Sequence, residues 1–337
     1  MYINIRIYLK QLLYQKPIAW FMIEILQGIS FLKDYFTFYK LPGNDNKASI
    51  KEINIEFANF CNLRCNACSL DHHKVKSFLS IETLDKFLYE LISDQRFRNV
   101  EIINLHNGGE VLLHPKINEL LQVIKRHKTH AIKQLIPFPK IYLLTNGMKL
   151  NDQMAHILIQ SEVIDVIGFS IDGGTPELFH SMRNRSIWPV LYNNIKQFYH
   201  LNQIQKHKIE IYAISCIPEE KPLNIKWMHP EFQHILNLLD RYELRRLHNW
   251  AGDIEQIESR TKKHKIGCTL LMRQMVLLPG GNITLCCNDL NSKEITGNIH
   301  TEDLYSIYKS NTRVQYLSQH LKGKKENLKL CQHCETF

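Results

Sequence analysis

Glycine and proline are scarce, at fourteen and eleven in 337 residues. That is far too little for a collagen-like or low-complexity chain. Long apolar runs are missing as well. The longest, Ile18 to Leu32, is interrupted by Glu24, Gln27 and Ser30, so it is shorter and more polar than the roughly 20 apolar residues a spanning helix needs. A polytopic membrane protein is excluded. No cleavable secretory signal and no internal repeat can be seen. With 44% hydrophobic and 22% charged residues, usage is that of a soluble globular chain, and the length predicts about two domains.

Cysteine, by contrast, is plentiful. There are nine: Cys61, Cys65 and Cys68, then Cys216, Cys268, the neighbours Cys286 and Cys287, and finally Cys331 and Cys334. An odd number cannot be fully paired within one chain. The expectation is a reducing, cytoplasmic protein whose clustered thiols bind metal.

Ten aromatic residues fall in the first forty positions, a density that needs a burial site. Two amphipathic helices broken near Pro17 are expected there, forming an extension (residues 1–45) packed on the main fold. Docking on a membrane surface is the alternative use of such helices. Leu41-Pro-Gly-Asn-Asp-Asn-Lys47 reads as a polar linker.

From residue 46 to 250, strand-like and helix-like patterns alternate. Strands are predicted at Ile53–Phe57, Val100–Leu105, Ile141–Thr145, Val166–Ser170 and Ile209–Cys216, with a weaker one near Leu244–His248. Leu84, Phe87, Leu88 and Leu91 recur at helical spacing, as do Ile117, Leu120, Leu121 and Ile124. Thr175-Pro176-Glu177 supplies an N-cap, a proline at the first helical position and an acidic first turn. Such repeats imply an α/β fold with a parallel sheet, doubly wound or barrel-like, and chemistry at the C-terminal strand ends. The basic run Arg260, Lys262, Lys263, Lys265 reads as a solvated linker. Residues 251–337 then form a smaller region with a hairpin at Pro279-Gly280-Gly281 and two polar helices.

Cys61-Asn-Leu-Arg-Cys65-Asn-Ala-Cys68 lies directly after the first strand. Three local thiolates fall one short of a structural zinc site. They suit a [4Fe–4S] cluster with one iron open to a small ligand. A zinc knuckle borrowing a fourth ligand from His72, His73 or the C-terminal cysteines is the competing reading.

These residues resemble the signature of the radical S-adenosylmethionine superfamily, and the supporting motifs follow in that family's order. Gly108, Gly109 and Glu110 close the second strand. Thr145-Asn146-Gly147 closes the third, Ser170-Ile-Asp172 the fourth, and Arg183 follows in the next crossover. The resemblance covers about residues 51–250 and implies a partial (β/α)6, TIM-like barrel. It also implies that Gly108, Gly109, Glu110, Asn146, Ser170, Asp172 and Arg183 contact S-adenosylmethionine. Two positions depart from the family pattern. Ala67 stands where an aromatic residue often stacks on adenine, and Val111 where proline often follows the GGE motif.

Cys268, Cys286 or Cys287, Cys331 and Cys334 supply four more thiolates. With the Pro-Gly hairpin and Gly297-Asn298-Ile299, they resemble the small C-terminal α+β domain of SPASM/twitch enzymes, in the short version with one auxiliary [4Fe–4S] cluster. A four-cysteine zinc is the rival for these ligands. On a strand, Cys286 and Cys287 would point to opposite faces. Ile283, Leu285 and Cys287 would share the apolar one, leaving Cys286 to ligate. Cys287 and Cys216 then read as small buried hydrophobes, with a hydrogen-atom donor role as the alternative.

Four protein thiolates leave no open iron, so the resemblance implies a cluster that carries electrons to or from a substrate radical. That suits oxidation of a carbohydrate-like alcohol, as in a twitch relative that oxidises an aminocyclitol. Peptide crosslinking or epimerisation is the runner-up. An electron donor of the flavodoxin or ferredoxin type is implied. His106, Arg245 and Arg246 are candidates for proton transfer only by their nearness to strand ends. The net charge of +9 would favour an acidic partner or an anionic lipid surface, or reflect a solvated basic surface alone. A metal-stapled RNA-binding module would need a basic stripe with interleaved aromatics, which the sequence does not offer.

Overall fold

A computed structural model describes residues 17–40, 47–254 and 266–334, with side chains in the first segment from residue 25 onward. The expected helix before Pro17, nearly all of the polar linker and the basic run at 260–265 lie outside the described residues. Helix α1 (Pro17–Tyr39) begins at the proline, as a residue without a backbone donor suits a first helical position.

Six parallel strands follow. They are β1 (Glu52–Ile55), β2 (Ile102–Asn104), β3 (Lys140–Thr145), β4 (Val166–Ser170), β5 (Glu210–Cys216) and β6 (Arg241–Arg245). The sixth starts earlier than expected. Their crossovers carry α2 (Ile81–Ser93), α3 (Ile117–Lys133), α4 (Asp152–Gln160), α5 (Pro176–Met182), α6 (Trp188–Gln203) and α7 (Pro230–Leu238). The chain then runs through α8 (Thr269–Arg273), β7 (Gln274–Leu277), β8 (Asn282–Thr284), β9 (Ile295–Asn298), α9 (Leu304–Tyr308) and α10 (Asn311–Leu321). The sheet order is β6-β5-β4-β3-β2-β1-β7-β8-β9. Strand β7 pairs in parallel with β1, and the β7–β8 hairpin is antiparallel. The C-terminal segment therefore continues the barrel sheet.

Side-chain alternation divides this sheet into two faces. Ile53, Ile55, Ile103, Ile141, Leu143, Ile167 and Phe169 are fully buried in one core with Leu84, Phe87, Leu120, Ile124 and Phe198 of the helices. The inner face is polar. Asn104 donates to Glu52 at 2.6 Å and to Asn54 at 2.9 Å. Gly168 leaves room for the Tyr212 ring, which a Cβ would meet at 2.4 Å. Tyr212 also carries the Arg241 guanidinium 4.3 Å above its ring.

A second core holds α1 against the C-terminal segment through Phe31 and Tyr35, with Leu271, Met272, Leu285, Tyr316 and Leu317. Arg273 pairs with Asp34 at 2.6 Å and donates to Ser30 at 2.8 Å. Buried Arg313 donates to the carbonyls of Leu271, Met272 and Gln274, which fixes the join between α8 and β7. Ile25, Leu26, Ile29 and Phe36 on α1 stay exposed. Among the described residues, no helix is long and apolar enough to cross a membrane.

Candidate active site and auxiliary thiol pocket

The first cysteine loop leaves the end of β1 and lies on the loop that follows β2. Glu110 donates its amide to Phe60 O at 3.0 Å. A Cβ on Gly109 would sit 1.8 Å from Ala58 O, so only glycine lets the two backbones touch. Glu56, one residue past β1, accepts the Gly108 amide at 2.7 Å. Sequence reasoning missed Glu56; its signal was a carboxylate on the polar face of β1 beside a glycine pair.

Glu110 is buried and its oxygens are engaged. They accept from Thr145 Oγ at 2.6 Å, from the Asn146 amide at 2.9 Å and from the Leu112 amide at 3.1 Å. The carboxylate thus ties the end of β2 to the end of β3. Asn146 completes the tie by donating to Asn62 Oδ1 at 2.9 Å and approaching the Cys61 sulfur at 3.6 Å. Ser170 ends β4 opposite Ile214. Asp172 accepts Arg183 Nε at 2.6 Å and the Cys216 amide at 2.7 Å. The cysteine loop reaches the same place, because Asn66 Nδ2 donates to Ser181 O at 2.6 Å and the Asn66 amide to Met182 O at 3.0 Å.

Cys61, Cys65 and Cys68 are all partly buried. The Cys61 thiol is pushed up to about 12, first by burial, then by Glu110, with Cys65 and Cys68 adding to the rise. Burial also raises Cys65, opposed by Arg183, and Cys68 adds to that rise. The three thiols therefore share one field, and only a cationic centre would let all three ionise together. Buried polar atoms without a partner among the described residues flank this loop: Ser69 Oγ, His72 Nδ1, His106 Nδ1 and Asn107 Oδ1. Such orphans suit a site that receives a polar molecule. The residues present fit an iron–sulfur cluster with S-adenosylmethionine.

Among the proton-transfer candidates, Arg246 is spent on the carbonyls of Ile217, Pro218 and Lys221. Arg245 pairs with Glu243 at 2.7 Å. His106 is held neutral, its pKa lowered to about 4 by burial.

Cys268, Cys286, Cys331 and Cys334 line a single pocket with Ala251, Leu271 and Leu330. Cys331 is raised by burial first and then by Cys268, Cys334 and Cys286, so all four thiols converge. Lys325 is only 7% exposed beside them and donates to Cys334 O at 2.5 Å. A buried ammonium calls for anionic company, which four metal-bound thiolates would provide. The expectation that Cys286 and Cys287 sit on a strand is overturned. Strand β8 ends at Thr284 and both cysteines lie in the turn beyond it, where the alternation of faces no longer applies. Among the described residues, no three His, Cys, Asp or Glu side chains close on a single-ion point.

The two sites abut. Asn291 donates to Ser69 O at 2.7 Å and accepts the Asp71 amide at 2.8 Å. Lys74 reaches Leu290 O at 2.8 Å.

The family model for the radical SAM superfamily matches residues 55–221, and that for the SPASM iron–sulfur cluster-binding domain matches residues 268–335. A curated relative, the antilisterial bacteriocin subtilosin biosynthesis protein AlbA of Bacillus subtilis (strain 168), is 28% identical over 131 residues. That is 39% of this chain and 26% of AlbA, so the match spans about a quarter of that relative's length. Among solved structures, BtrN in complex with AdoMet and 2-DOIA has a TM-score of 0.58 at 16% identity, covering 85% of this chain and 93% of BtrN. Streptococcus suis SuiB bound to its precursor peptide SuiA has a TM-score of 0.55 at 15% identity, covering 86% and 72%. At these identities the structures share the fold, the partial barrel of radical SAM enzymes. The chain belongs to the radical S-adenosylmethionine superfamily as a SPASM/twitch-type enzyme, whose cofactors are S-adenosylmethionine and two [4Fe–4S] clusters.

Proposed function

We propose that this enzyme oxidises a carbohydrate-like alcohol, with Cys61, Cys65 and Cys68 holding the catalytic cluster and Cys268, Cys286, Cys331 and Cys334 the auxiliary one. When bound, the cofactors supply a 5′-deoxyadenosyl radical that takes a hydrogen atom and an auxiliary cluster that accepts one electron. The observation that carries the reading is the auxiliary pocket. Four thiols converge there beside buried Lys325, so no iron is left open for substrate. A fully ligated cluster suits electron transfer.

Gly108, Gly109, Glu110, Asn146, Ser170, Asp172 and Arg183 orient S-adenosylmethionine. Glu110 acts by holding two strand ends together, and the Asp172–Arg183 pair keeps a charged, desolvated wall beside Cys65. His106, with an Nδ1 unpartnered among the described residues, is the candidate proton acceptor at the end of β2, although burial disfavours its protonated form and the proton would have to pass on. An electron donor of the flavodoxin or ferredoxin type supplies the reducing electron. Exposed Ile25, Leu26, Ile29 and Phe36 give α1 the apolar face that a peripheral membrane contact would use. Flotation with anionic vesicles, with and without residues 1–40, tests that contact, and equal flotation removes it.

Peptide maturation is the second reading. It is favoured by the sequence match to AlbA, named for bacteriocin biosynthesis, and by SuiB with its precursor peptide. The deciding experiment offers anaerobically reconstituted enzyme candidate deuterated alcohols and peptides and follows deuterium into 5′-deoxyadenosine. Label from alcohols supports the first reading; label from peptides alone replaces it with the second.

A further inference from the structure

Between β6 and the auxiliary pocket the chain makes a short strap, His248 to Gly252, that touches both cysteine loops. The Trp250 indole N–H donates to Ala67 O at 2.7 Å, and Ala67 is the residue before Cys68. One residue on, Ala251 lines the auxiliary pocket. Asn249 donates to His333 O at 2.8 Å, inside the turn between Cys331 and Cys334. A Cβ on Gly252 would meet His333 Cβ at 2.4 Å, so the strap and that turn are in close contact. Trp250 and Ala251 both adopt left-handed backbone, φ 46° and 60°. Two successive non-glycine residues keep that conformation only when their surroundings impose it. The anchors are the two loops themselves, with the His248 ring 4.2 Å from the Trp250 ring.

We infer that Trp250 is a positioning residue, through which filling of the auxiliary pocket sets the shape of the Cys61–Cys68 loop and so its affinity for S-adenosylmethionine. The inference rests on the proposed placement of the two clusters. Ligation of Cys331 and Cys334 fixes the turn that Asn249 holds. The strap is then ordered before S-adenosylmethionine arrives, and the ordering cost no longer falls on its binding. Coupling of this kind between two sites is typically worth about fivefold or more in affinity.

The test titrates S-adenosylmethionine into the reduced, reconstituted full chain and follows the electron-paramagnetic signal of the first cluster. It compares the native chain, the Cys331→Ala/Cys334→Ala pair, Trp250→Phe, and all three substitutions together. The pair should weaken binding by about fivefold or more. Trp250→Phe, which keeps a ring and loses the indole N–H, should weaken it to the same level, and the combined chain should be no weaker. Asn249→Ala cuts the other end of the strap and should match Trp250→Phe. It also serves as the reading if that variant does not fold. Native affinity in Trp250→Phe or Asn249→Ala overturns the inference, as do effects that multiply in the combined chain. Iron content separates the two levels. Absence of iron from either site in the native chain defeats the proposed cluster placement, whereas iron at both sites with uncoupled binding defeats only the strap.

Discussion

The two cysteine sites are built from the same atoms in opposite surroundings. The first has three thiols on a loop pressed against glycine backbone, with a carboxylate latch, an Asp172–Arg183 pair and several polar atoms that have no partner among the described residues around it. The second has four thiols in a pocket whose other walls are largely apolar, with the Lys325 ammonium among its charged neighbours. A three-thiol site bordered by polar groups can take in and orient a molecule. A four-thiol site walled by Leu271 and Leu330 suits the electron-transfer role proposed for it. The number of ligands and the polarity of the walls agree at each site.

The comparison breaks most sharply if the first site is removed. Replacing Cys61, Cys65 and Cys68 by Ala should abolish 5′-deoxyadenosine formation and lower iron from about eight to about four per chain. Iron analysis and product chromatography check this, and full loss of iron would mean that the sites are not independent. Next comes Gly109→Ala. Its methyl group would collide with the Ala58 carbonyl, so β1 and β2 loops must separate. Soluble yield and melting temperature should fall, and S-adenosylmethionine binding should be lost in whatever folds.

A smaller effect is expected from Lys325→Met. Removing the buried cation leaves the four thiolates less compensated. The auxiliary cluster should become harder to reduce, seen as a more negative midpoint potential with unchanged 5′-deoxyadenosine formation in the absence of substrate. The mildest effect is on pH dependence. His106 and His248 are both lowered to about 4, by burial in each case and by Arg245 as well for His248. Below about pH 6.5 the unfolded chain binds more protons than the folded one. Stability should therefore be full above that pH and decline as it falls toward 4. Urea midpoints measured against pH check the sign, and His248→Gln should flatten the decline.

Much of the first site was legible in the sequence because each motif is local. CxxxCxxC, GGE and TNG each sit within a few residues of a strand end, and strand order places them side by side. Glu110 was read as a cofactor contact; that its oxygens also serve two strand ends was not legible, because it depends on a partner 35 residues away. Cys286 lines the pocket because a turn places it there, and not through the strand alternation that pointed to it as a ligand. Lys325, in a run with Lys322 and Lys324, carries no local mark of its burial. The strap was illegible because left-handed backbone at Trp250 and Ala251 leaves no mark in residue type. Nothing in local pattern could have paired β7 with β1 either.

That last pairing governs how the molecule can be made. Strand β1 has β2 on one side and β7 on the other, and β7 ends at Leu277. During synthesis the Cys61–Cys68 loop leaves the ribosome more than two hundred residues before its second neighbour exists. Until then β1 is an unpaired edge, open to association with other chains. Iron delivered early would meet a half-built cradle. A barrel expressed as a module ending at residue 250 would leave that edge bare.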